Sequence, residues 1–178
     1  MNGRATICSW LAMVVLSTGA PLQADEVELL AGRIESVPPG SQPTFTVKSL
    51  EGEWKIQCSE KTVFVREGKN VLRDSLKPKQ HVLVSGLASD QAVKADRVEL
   101  TDAVEGKIEA IMEVFPLRLS VKGKTGETLV QLQEDTRILR RGKVVVPGQL
   151  KNGDTVCVFG SLSKGLFAAK VIHVEMRR

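Results

Sequence analysis

Short runs in which apolar and polar side chains alternate cover most of the chain. Residues 31–37, 44–49, 53–58, 62–66, 81–87 and 92–100 are rich in Val, Ile and Thr. A period of two on β-branched residues predicts half-buried strands. No stretch holds a long 3.6-residue period, so helix is expected only as a turn near residues 75–79 and 149–153. Gly52 and Gly68 stand where tight turns need positive φ, and Pro38-Pro39-Gly40 breaks the chain between the first two strands.

The pattern then recurs. Shifted by 74 residues, the chain lies on itself without a gap. Gly32-Arg33-Ile34-Glu35 meets Gly106-Lys107-Ile108-Glu109, and Val47-Lys48 meets Val121-Lys122. Gly52-Glu53 meets Gly126-Glu127, and Arg66-Glu67-Gly68-Lys69 meets Arg140-Arg141-Gly142-Lys143. Leu76-Lys77 meets Leu150-Lys151, and Val82-Leu83-Val84-Ser85-Gly86 meets Val156-Cys157-Val158-Phe159-Gly160. One register held across so many pairs predicts a duplicated unit. Several short strands per unit suggest closure into a barrel, which removes exposed sheet edges.

Alternation also assigns sides. Val82 and Val84 should point into the first barrel, and Val156 and Val158 into the second. Leu83 and Cys157 then point outward, where a lone barrel would favour a polar residue. They are read either as a contact between barrels or with a partner, or as single exposed apolar residues of the ordinary kind. Thr101-Asp102-Ala103 alone separates the two units. Three residues reach at most about 10 Å, so the barrels must sit close together.

The opening Gly-x-Ile of each unit and the run Leu150-Lys151-Asn152-Gly153-Asp154-Thr155-Val156-Cys157-Val158-Phe159-Gly160 resemble a bacterial family of small exported OB-like β-barrel domains of unknown function. The resemblance implies a fold and a tandem arrangement, and it brings no catalytic residues. The first unit departs from it, with Lys79-Gln80 where the second has Gly153-Asp154.

Residues 1–24 read as a secretory signal peptide. Arg4 opens it, a mostly apolar run follows from Ile7 to Leu16, and Leu22-Gln23-Ala24 closes it. The apolar run is shorter than the span of about 20 residues that a membrane needs. The expected layout is therefore all-β: a leader over 1–24, one OB-like barrel over 29–100 and a second over 103–176. The expected location is periplasmic or secreted, with no membrane span in the mature chain.

Composition narrows the function. Aromatics make up 4% of the 178 residues, with no Tyr. Base stacking needs aromatic faces, so this shortage counts against single-stranded nucleic acid. The net charge of +4 is too small for a general polyanion binder. It is unevenly placed, however. Residues 25–100 carry eleven Lys and Arg against twelve Asp and Glu, whereas residues 101–178 carry thirteen against nine. Much of the excess gathers at Arg137, Arg140, Arg141 and Lys143, around Gly142. Two readings stand: a solvated hairpin that discourages edge pairing, or a contact for an anion or acidic partner.

The chemical inventory is thin. His81 and His173 have no Cys or carboxylate at a recognised metal spacing, and they read as polar residues at strand ends. Gly123-Lys124-Thr125 lacks the earlier glycine of a phosphate loop, since Arg118 stands there. Glu60 and Glu134 recur at equivalent positions beside Thr62 and Thr136, which favours a structural role. Cys58 is expected on a core face and Cys157 on an outer face, so both are expected reduced. These readings point to a non-enzymatic binding or scaffold protein without a metal or cofactor. Its partner would be a protein or an envelope polymer. The alternative is a polyanion or nucleic-acid binder using the basic tip.

Overall fold

The computed structural model describes residues 26–38, 43–141 and 143–175. The proposed leader, the Pro39–Gly40 break and the Gly142 turn lie outside the described residues. The chain is all-β and contains a closed five-strand barrel. The strands are β1 (Glu26–Ser36), β2 (Thr44–Ser49), β3 (Gly52–Gln57), β4 (Val63–Arg66), β5 (Lys69–Asn70) and β6 (His81–Ser89). They continue as β7 (Ala92–Met112), β8 (Arg118–Gly123), β9 (Gly126–Arg140), β10 (Lys143–Val145), β11 (Thr155–Ser163) and β12 (Leu166–Val174).

Pairing closes a ring in the order β1, β2, β3, β7, β6 and back to β1; only the β3–β7 contact in this ring is parallel. A second ring runs β7, β8, β9, β12, β11 and back to β7, again with one parallel contact, between β9 and β12. The side chains inside follow the alternation. Ile34, Phe45, Val47, Ile56, Val82, Val84 and Val98 form one buried cluster. Ile108, Leu119, Val121, Val130, Val156, Val158, Phe167 and Ile172 form another. Burying each such side chain contributes about 1.5–3 kcal/mol relative to exposure.

The details recur at the 74-residue offset. Ile34 lies opposite Val47 and Ile108 opposite Val121, and the ladder slips one residue later in each case. A second bulge falls between Ser85 and Gly86 and again between Phe159 and Gly160. At Gly86 and Gly160 a Cβ would stand 2.0 Å from the carbonyl oxygen of Lys94 and of Ala168. Nothing larger than glycine fits where the paired strand passes so close. Thr62 Oγ1 donates to Ala95 O at 2.7 Å, and Thr136 Oγ1 donates to Ala169 O at the same distance. Even the departure at Lys79 keeps the backbone: its φ is 72° where Gly153 has 82°. Lys79 N donates to Ile34 O, as Gly153 N does to Ile108 O.

Two expectations shift. The helical turns are 3-10 turns at Arg73–Ser75 and Pro147–Gln149, two residues earlier than the pattern suggested. Pro147, already set near helical φ, starts the second of them. Thr101-Asp102-Ala103 belongs to no connector, because β7 runs unbroken from Ala92 to Met112 and serves both rings. Its first half pairs with β6 and its second half with β11, so the backbone groups of the three residues are engaged by the ladder itself.

Candidate functional site

The residues singled out at the basic tip do not form one surface. Arg140 Nη2 lies 2.7 Å from Asp154 Oδ2 and donates also to Gln149 O at 3.2 Å. Asp154 is buried, and its carboxylate accepts from Lys151 N as well. Arg140 therefore braces the loop before β11 rather than facing solvent. Arg141 is exposed, and so is Lys143, whereas Arg140 is half-buried. Arg137 is half-buried. In the first unit Gln80 takes the place of Asp154, and its Oε1 accepts from Lys77 N at 2.7 Å.

Leu83 and Cys157 both lie in a third buried cluster, with Ala31, Phe159 and Val171. Leu29, Ala103 and Leu139 pack against it. Its members come from the outer faces of β1 and β6 on one side and of β11 and β12 on the other. A contact of this kind desolvates each apolar group without using the interior of either ring. The Phe159 ring stands between His81 and His173, edge to face, with centroids 6.0 and 5.5 Å away. Burial holds both imidazoles below their ordinary pKa; around His81, Glu105 and Asp102 oppose this and Arg33 adds to it. The strand-end reading of His173 missed this, since burial there comes from residues far away in the chain. Cys58 and Cys157 are free thiols in different clusters. Burial pushes Cys58 up to about 11; burial, with Glu105 and Glu175, pushes Cys157 up to about 12. Among the described residues no group of three His, Cys, Asp or Glu could hold a metal ion.

Among the described residues, two concavities stand out. A cleft of about 130 Å³ lies where the two rings meet, lined by Arg66, Glu67, Glu99, Asp102 and Lys170 among others. Lys170 and Glu99 neutralise each other there at 2.5 Å, and the Asp102 carboxylate accepts from Leu162 N. With charges of both signs in its lining, the cleft selects no ligand charge.

The larger concavity is a groove of about 750 Å³, formed by the connection between β7 and β8, the middle of β9 and Pro147. Both of its sides are hydrogen-bonded. Leu132 N donates to Leu117 O at 2.9 Å, and Val114 N to Met112 O at 2.8 Å. Gln133 N donates to Thr136 Oγ1, whose hydroxyl is itself anchored on Ala169 O. Leu132 is buried and Leu117 packs against the core, so they form an apolar floor. Phe115 is 94% exposed and Val114 52% exposed. Glu134 and Asp135 line the groove, and Glu113 directly precedes Val114. The sequence pattern alone did not single this place out. The signal was present, however: Val114-Phe115-Pro116-Leu117 replaces Gly40-Ser41-Gln42-Pro43 of the first unit. No model of a known protein family and no curated protein matches the chain.

Proposed function

We propose that this protein is an exported, non-catalytic binding module made of two tandem OB-like barrels, joined through β7 and presenting its loops to a partner. The ring order of β1, β2, β3, β7 and β6, with its parallel β3–β7 closure, supports the OB-like reading. The resemblance to small exported OB-like domains agrees with it. Fold does not assign function, so the reading rests on one further observation. Across the 74-residue offset several scaffold hydrogen bonds recur while the loops diverge. Cys58 N donates to Pro43 O as Leu132 N does to Leu117 O, yet a polar connection in the first unit is an apolar one in the second. Constant framework with variable ends is how a barrel serves recognition.

A photo-crosslinking residue at position 114 tests this in the exported fraction. Adducts are expected there, and none from position 55 on the face of β3. Equal yields from both positions would end the loop reading. Export is tested by the N-terminus of the mature protein, expected at Asp25. Turnover of ester, phosphate, glycoside or peptide substrates by the pure protein would contradict the non-catalytic assignment.

The polyanion reading depends on Arg141 and Lys143, the exposed residues of the tip. If these residues serve an anion, R141E/K143E should lose heparin retention at low salt while keeping the fold. Unchanged retention removes the tip. R140E, by contrast, is expected to destabilise the protein by about 2 kcal/mol, because it places two carboxylates together at a buried site.

A further inference from the structure

We propose that the groove between Phe115 and Pro147 docks an extended peptide segment of a partner protein that pairs apolar side chains with lysine or arginine. The inference rests on the binding-module reading and names the partner chemistry of its loops. Three observations carry it. A phenylalanine 94% exposed is held out beside Val114 instead of folding onto the core. The floor beneath is apolar and already packed, through Leu132 and Leu117. The rim is anionic: Glu134 and Asp135 line the groove, and the exposed Glu113 directly precedes Val114 in the chain.

Large exposed apolar side chains grouped around a concavity mark an interaction site rather than ordinary surface. An occupant that desolvates Phe115 and Val114 must bring apolar groups of its own. Carboxylates around such a site favour a cationic occupant and repel an anionic one. The anchored loops supply the pre-organisation: the connection from residues 113 to 117 is bonded at Val114 and Leu117, so little ordering remains for the bound state. The first unit offers no second copy of this site. It has Gly40, Ser41 and Gln42 in place of Val114, Phe115 and Pro116, Cys58 in place of Leu132, and Arg73 in place of Pro147.

Fluorescence anisotropy with a labelled dodecapeptide of alternating leucine and lysine tests the proposal on the whole mature chain. Saturable binding is expected. Matched peptides with glutamate for lysine, or serine for leucine, should bind about tenfold more weakly or worse. Phe115→Ser and, separately, the pair Glu134→Lys and Asp135→Lys should each weaken the leucine–lysine peptide by about tenfold or more. All three positions are exposed, and circular dichroism checks that both variants keep the wild-type fold. No binding, or equal binding of the leucine–glutamate peptide, overturns the proposal. Binding retained by both variants overturns it too, while leaving a binding module with its site elsewhere. Concentration-dependent dimerisation abolished by Phe115→Ser would make a second copy of this chain the occupant, and would overturn a peptide partner. The crosslinking at position 114 fails or succeeds independently of the peptide chosen, so it judges the module reading separately.

Discussion

At the scale of single residues, the two units differ most tellingly where a backbone demand is met by different side chains. Gly153 and Lys79 occupy the same left-handed turn, with φ of 82° and 72°. Glycine meets no Cβ penalty there, whereas an L side chain costs about 1–2 kcal/mol. Lys79 is exposed, and its backbone N–H bonds to Ile34 O whatever the side chain. Lys79→Gly is therefore expected to stabilise the protein by about 1 kcal/mol, after glycine's greater freedom in the unfolded chain offsets part of the relief. A urea titration with unchanged slope and a raised midpoint would carry that gain. A lowered midpoint would mean that the lysine side chain contributes more than its strain costs.

At the scale of elements, the strands are shaped by their bulges. Gly86 and Gly160 let β6 and β11 bend against the next strand, and a methyl group would meet a backbone carbonyl at 2.0 Å in either place. Backbone cannot rotate aside as a long side chain can. Gly160→Ala is expected to cost about 3 kcal/mol, in the upper range for overpacking. Thermal unfolding of the variant checks it; a loss below about 0.5 kcal/mol would show that the ladder yields easily there. Thr62 and Thr136 act at the same scale. Each accepts from a backbone N–H three residues before it and donates to the neighbouring strand, fixing the step between two paired segments. The recurring bonds fall on these threonines and not on Glu60 and Glu134, the carboxylates for which the recurrence suggested a structural role.

At the scale of the whole molecule, β7 and the third cluster hold the two rings together. β7 gives covalent continuity and a shared ladder. The cluster around Leu83, Cys157 and Phe159 gives apolar contact. His173, against the Phe159 ring, is 6% exposed, and its Nε2 has no hydrogen-bond partner. Burial depresses its pKa below the ordinary 6.5. The folded state thus favours the neutral ring, and the unfolded chain takes up the proton first as pH falls. The stability linked to this ring is complete above about 6.5 and drains away as pH drops from there through the depressed folded value. His81 is shifted in the same direction and adds to the loss. Denaturant midpoints measured at about pH 7.5 and pH 5 should fall for the wild type, and fall less for His173→Leu. Equal falls would place the acid sensitivity elsewhere.

Much of this was legible in the chain because it is local. Alternation put Val82, Val84, Val156 and Val158 inside, since a strand's period of two allows no other side. Gly52 and Gly68 marked turns, and their φ values of 134° and 76° are ones that few other residues adopt. The outer positions of Leu83 and Cys157 were legible for the same reason. What lies opposite them was not, because the facing surface belongs to another ring. Tertiary structure alone decided that β7 runs through the join and that Phe159 sits between two histidines. It also decided that Arg140 turns back to Asp154, and that Phe115 overhangs a groove completed by Pro147. Each of these depends on residues brought together from distant parts of the chain, and neither periodicity nor turn chemistry carries information over that separation.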